Sequence, residues 1–174
     1  MGDLNFLRRA GKAVTKTNEI VGKTAALLIF PLMLIMVSEV FLRHVLMLPS
    51  RYNYDLALMT YVTLVVLGAG YSLSRDVHIK VDFFYNKLKR RGKIIINMIS
   101  YPAFFFLLMA AILDVLFRYV IFAWQSGEVG LQSPWRYPML PIRTIMFTGI
   151  LLMTLQGIVK FAEIFKKPEK GDEP

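Results

Sequence analysis

The sequence predicts an all-α integral membrane protein: four transmembrane helices with both termini inside, and a cytoplasmic amphipathic surface helix between helices two and three. Three observations predict it. The 174 residues are 56% hydrophobic with a mean hydropathy of +0.50, too apolar for an ordinary globular domain. Four apolar stretches are each long enough to cross about 30 Å of hydrocarbon as helices. The basic residues, finally, are sorted into blocks beside those stretches.

The first span runs from about Ile20 to Leu46, with an uncharged centre from Thr24 to Ser38. The second covers Leu56 to Ser74, between the charges of Asp55 and Arg75. The third begins near Ile94, stays uncharged through Leu113 and ends about Ala123. The fourth covers Pro141 to Phe161, uncharged between Arg143 and Lys160. Helices are expected because a spanning segment outside a closed barrel must satisfy its backbone internally. Pro31 and Pro102 predict bends in the first and third helices, since proline lacks the N–H and crowds the preceding turn.

Lys and Arg set the orientation. Arg8, Arg9, Lys12, Lys16 and Lys23 precede the first span. Arg75, Lys80, Lys87, Lys89, Arg90, Arg91 and Lys93 join the second to the third, and Lys160, Lys166, Lys167 and Lys170 follow the fourth. The other two connections carry only Arg51 and Arg136. Cytoplasmic loops retain Lys and Arg, so the termini and central segment belong inside and the two sparse connections outside. Tyr52, Tyr54, Trp124, Trp135 and Tyr137 suit an interfacial aromatic belt on the outer side.

Within the central segment, residues 77–88 (VHIKVDFFYNKL) place Val81, Phe84, Tyr85 and Leu88 on one helical face. This predicts a helix lying along the membrane, with His78, Asp82 and Phe84 setting it. The N-terminal arm is a weaker version, with Leu4, Leu7 and Val14 among its cations. With no repeat and short connections, residues 1–174 read as one membrane domain ending in a disordered tail, 168–174. The first apolar run is too long for a cleavable leader.

The net charge of +9 lies in short blocks beside apolar runs, which fits anionic lipid headgroups and not nucleic acid. The absence of cysteine excludes disulfides and thiolate metal sites. His44 and His78 fall on opposite membrane faces and cannot share a metal or haem. No Walker, Rossmann or H-E-x-x-H pattern occurs, so neither an enzyme nor a cofactor is expected.

Charged residues inside spans are costly and mark function or fixed pairing. Glu39 and Arg43 stand at i, i+4 in the first span, and Asp114 and Arg118 repeat that spacing in the third. Each spacing puts an acid and a base on one helical face. The topology brings both pairs, with Arg143, toward the outer ends of their spans. Two readings follow: a proton or ion path through a transiently unpaired acid, or salt bridges that fix helix packing or a subunit interface. A basic partner one turn from each acid favours the second. Four helices without a repeated half also suit a subunit better than a complete transporter.

Three segments carry a family resemblance: VFLRHV (Val40–Val45), LVVLGAGYSLSRDVHIKVDFF (Leu64–Phe84) and SGEVGLQSPWRYPMLPIR (Ser126–Arg143). Gly68, Arg75, His78, Val81 and Asp82 in the second, and Glu128, Ser133, Pro134, Trp135 and Pro141 in the third, follow its pattern. In these the chain resembles the small integral membrane subunit (DctQ type) of tripartite ATP-independent periplasmic, or TRAP, transporters, over nearly its whole length. It departs where the family often begins its second helix with Trp and paired acids; here Arg51 to Asp55 (RYNYD) supplies one acid and two tyrosines.

The resemblance implies a Na⁺-coupled uptake system for an organic acid in the bacterial inner membrane. Its partners are a large elevator-type membrane subunit, a periplasmic substrate-binding protein and membrane lipids, with no nucleic acid. The small subunit scaffolds the large one. Glu39, Arg43, Asp114, Arg118 and Arg143 would then fix helix packing or the large-subunit interface, and Glu128, Trp135 and Arg136 would meet the binding protein. The rival readings are a stand-alone four-helix proton-coupled exporter using Glu39 and a membrane anchor for a redox enzyme.

Overall fold

The computed structural model describes residues 2–48, 52–75, 105–130 and 135–166. Five helices follow in order: α1 (Gly2–Ala26), α2 (Ile29–His44), α3 (Asn53–Ser74), α4 (Leu107–Ser126) and α5 (Leu140–Lys166). Four helical stretches among the described residues are long and apolar enough to cross a membrane: Arg9–His44, Asn53–Ser74, Leu107–Ser126 and Leu140–Ala162. Four membrane-capable helices were expected and four are present; the expected start of the third, near Ile94, lies outside the described residues. The surface helix expected over residues 77–88, with His78, Asp82 and Phe84, lies outside the described residues, as does Pro102.

The first span is helical but interrupted. Leu27 and Leu28 form a turn between α1 and α2, and Pro31 accounts for it. Proline has no N–H for the Leu27 carbonyl four residues earlier, and its ring would collide with that carbonyl. The Leu27 carbonyl is taken instead by the Phe30 N–H, at 3.3 Å, a tighter i+3 bond. The regular i−4 ladder resumes with the Leu32 N–H on the Leu28 carbonyl at 3.1 Å.

The helices pack as a row, α2 on α3, α3 on α5 and α5 on α4, with α1 laid against both α3 and α5. Small residues set the close approaches. A side chain on Gly149 would run into Val66 of α3, including its backbone, and one on Gly70 would strike the Asn18 amide. Contacts of this kind let membrane helices come together where lipid supplies no hydrophobic drive. Aromatic pairs hold α4 along α5, Phe117 with Phe147 and Phe106 with Phe161, each at 5.8 Å.

The outside of this row is apolar. Phe30, Leu34 and Val37 of α2 are 64%, 72% and 65% exposed, and α2 has no buried residue. Such a surface would aggregate in water and belongs in hydrocarbon or against another protein. Threonine hydroxyls inside the spans satisfy themselves locally. Thr60, Thr63, Thr148 and Thr154 each donate to the carbonyl four residues back, at 2.7–2.8 Å.

Candidate functional site

Glu39, Arg43, Asp55, Glu128 and Arg143 lie toward the end of the row where α2 gives way to α3 and α4 to α5. The second of these connections, 127–139, is built by its own backbone. Gly127, in the left-handed region at φ 60°, ends α4, the conformation that helix C-termini favour and that glycine adopts without penalty. The chain then folds back on itself. Gly130 N–H donates to the Tyr137 carbonyl and Met139 N–H to the Glu128 carbonyl, both at 2.9 Å. Val129 and Pro138 form an antiparallel bridge.

That doubled strand delivers Glu128 to Arg143. Arg143 Nη2 donates to Glu128 Oε1 at 2.7 Å, and Nη1 lies 2.6 Å from Oε2, an ion pair anchored by one charge-assisted hydrogen bond. Arg143 also donates to the Tyr119 carbonyl at 3.0 Å and lies over the Tyr119 ring at 4.8 Å. One side chain thus ties α5 to α4 and to the connection between them. Glu128 and Arg143, assigned to separate surfaces on sequence grounds, form one unit.

Trp135 and Arg136 are exposed on the same connection. Trp135 packs edge-on against Tyr52 at 6.1 Å and against Tyr137 at 5.6 Å, joining this connection to the start of α3. Tyr137 is only 5% exposed. Burial, and then the negative charge of Asp55, push its hydroxyl above the ordinary tyrosine value of 10.0. Asp55 is 1% exposed, and among the described residues neither of its oxygens has a hydrogen-bond partner.

An apolar cavity of about 340 Å³ opens beneath Trp135 and Tyr137, lined also by Leu28, Met59, Ile142 and Ile145. Methyls, rings and thioether dominate its walls, which suits another apolar group better than a carboxylate ligand.

The two i, i+4 pairs both close, but in different settings. Arg43 donates to Glu39 at 2.7 Å near the top of α2, where Asn53 of α3 donates to the neighbouring Ser38 at 3.1 Å. Arg118 donates to Asp114 at 2.9 Å, and both side chains are exposed, at 77% and 59%. Asp114 lies about 18 Å along the axis from the end of α4 at Ser126, well inside a span. Its pair therefore faces outward from the row at bilayer depth.

At the opposite end lies a polar layer that sequence reasoning missed. Asn18 is fully buried, and its amide donates to the Val14 and Leu152 carbonyls and the Gln156 side chain at 3.2–3.3 Å. Gln156, 1% exposed, donates in turn to Thr15 at 3.3 Å. Beside it Arg75 meets Glu19 at 2.8 Å. The available signal was Gln156: an amide in an otherwise apolar span needs a partner on a facing helix. No group of three or more possible metal ligands occurs among the described residues.

A row of helices with apolar outer faces, four of its helical stretches long and apolar enough to cross a membrane, has the build of a multi-pass membrane protein. More particularly, the chain belongs to the DctQ family: residues 32–167 match the family described as tripartite ATP-independent periplasmic transporters, DctQ component. It is therefore a transporter subunit and not an enzyme. The matched stretch starts at Leu32 in α2, so α1 falls outside it. None of the curated proteins compared with the chain matches it.

Proposed function

We propose that this chain is the scaffolding subunit of a Na⁺-coupled system that takes up an organic acid across the bacterial inner membrane, and that it presents α4 to the large membrane subunit. The observation that carries this is the exposed Asp114–Arg118 pair within a span. Facing acyl chains, a charged side chain at a helix centre costs about 3 kcal/mol or more. A neighbouring protein with polar groups removes that cost. The tripartite family supplies such a neighbour, because its systems include a large membrane component and a binding protein.

With the termini cytoplasmic, as the basic blocks require, the 127–139 connection faces the periplasm. Trp135 and Arg136 are its exposed side chains and suit contact with the binding protein. Glu128 acts through the fold, holding that connection against Arg143. The substrate and Na⁺ sites belong to the large subunit in this reading. The stand-alone exporter loses support because Glu39 is held by Arg43.

Co-purification tests the proposal. Asp114→Asn or Arg118→Gln should lower recovery of the co-expressed large subunit at least tenfold while the small subunit still inserts. Undiminished recovery with both variants would exclude α4 as the docking face. Uptake by liposomes holding this chain alone would overturn the scaffold role itself.

A further inference from the structure

The first helix carries a basic stripe that the subunit reading leaves unused. At 100° per residue, Arg9, Lys12, Lys16 and Lys23 fall within about 60° of one another around α1, and all four are exposed. The opposite side of α1 is the packed one. Gly11 sits against Val159, Asn18 fits beside Gly70, Gly22 meets Tyr71, and Ala25 is 3% exposed. Packing thus fixes which way the cations point: away from the row.

Depth is fixed by the same contacts. Between Gly11 and Gly22, α1 advances about 16 Å. Over that distance it meets Gly70 and Tyr71 of α3, Arg75 just beyond it, and Leu152, Gln156 and Val159 of α5. The helix therefore lies beside the last turns of α3 and α5, at the end of the row remote from the two connections. Glu19, the acid beside the stripe, is held by Arg75 at 2.8 Å and does not neutralise it. Ile20, 56% exposed, lies at the stripe's edge, placed to enter the acyl region beside the cations.

We infer that this stripe binds anionic phospholipid headgroups of the leaflet bordering the termini and so clamps α1 to the membrane surface. The chemistry is phosphodiester recognition by a linear array of side chains, each strengthening attachment to an anionic surface about fivefold. Lipid is the source the geometry favours over free phosphate: the cations form a line at headgroup depth flanked by an apolar side chain, not a concave pocket. The inference does not rest on docking to a large subunit, because it concerns this chain alone.

The test uses the full chain in phosphatidylcholine nanodiscs with and without phosphatidylglycerol, reading bound anionic lipid and the thermal midpoint. Wild-type protein should retain phosphatidylglycerol and be stabilised by it. Replacing Arg9, Lys12, Lys16 and Lys23 together by Gln should weaken retention at least tenfold. Lys12→Arg with Lys16→Arg should preserve it, as should replacing Lys166, Lys167 and Lys170 by Gln. Equal retention by the stripe variant overturns the inference. So does an equal loss in the Lys166, Lys167 and Lys170 variant, which would indicate bulk charge, or equal stabilisation by inorganic phosphate.

Discussion

Arg143 Nη2 donates to Oε1 of Glu128, fifteen residues earlier, at 2.7 Å, and Nη1 lies 2.6 Å from Oε2. The pair is mostly shielded, with side chains 17% and 28% exposed, so each charge depends on the other. Arg143→Met strands the carboxylate and should destabilise the chain by about 1–3 kcal/mol. Adding Glu128→Gln should restore part of that loss, because the stranded charge is gone. Thermal unfolding in detergent measures both, and equal midpoints for wild type and Arg143→Met would remove the pair's structural role.

Tyr137 makes the connection sensitive to alkali. Its hydroxyl is raised by burial and by Asp55, so the folded chain holds the proton more tightly than the unfolded chain does. That stability is complete below the unfolded value of 10.0 and is lost as pH rises from there through the folded value. Tyr137→Phe should flatten this loss. Stability followed against pH, with tyrosinate absorbance alongside, shows whether a late-titrating tyrosine disappears in the variant.

Gly70 is where α1 meets α3. A methyl there would strike the Asn18 amide, which is also bonded to Leu152 and Gln156. Gly70→Ala should therefore cost about 1–3 kcal/mol through displacement of that layer. Proteolysis near the N-terminus, faster in the variant, should report the loosening of α1. An unchanged cleavage rate would show that the amide relocates freely.

Gly127 tests the end of α4 separately. Space around it is open, but its φ of 60° is unfavourable for a side chain. Gly127→Ala should cost about 1–2 kcal/mol, with the Arg143–Glu128 pair retained. Gly127→Asn should cost less, since asparagine tolerates this region. An Ala variant as stable as wild type would count against the left-handed cap.

Hydropathy and charge sorting were enough to foretell helices apolar and long enough to span, such as Asn53–Ser74 and Leu140–Ala162, because such a helix is defined by length and by the cost of burying charge. Pro31 foretold a bend, and the structure has a turn at Leu27 and Leu28 just before it, since the missing N–H acts within one turn. The i, i+4 pairs were legible for the same local reason. Arg143 was visible as a charge at a span's edge, but its partner was not. The Val129–Pro138 bridge brings Glu128 to it, and that fold-back depends on Gly127 and on contacts between Tyr52, Trp135 and Tyr137. The Asn18–Gln156 layer escaped detection because its members are 138 residues apart.

The sequence by itself determined that this chain forms four helices long and apolar enough to cross a membrane, and which acid can reach which base along one helix. These follow from periodicity and from the free energy of charge in hydrocarbon, both of which are local. Only the tertiary structure decided which way each helix face turns. Close approach at Gly70 and Gly149, and ring contacts along α4 and α5, set the rotation of each helix about its axis. That rotation gives Arg143 an inner partner in Glu128, turns Asp114 and Arg118 outward, and aims the cations of α1 away from the row.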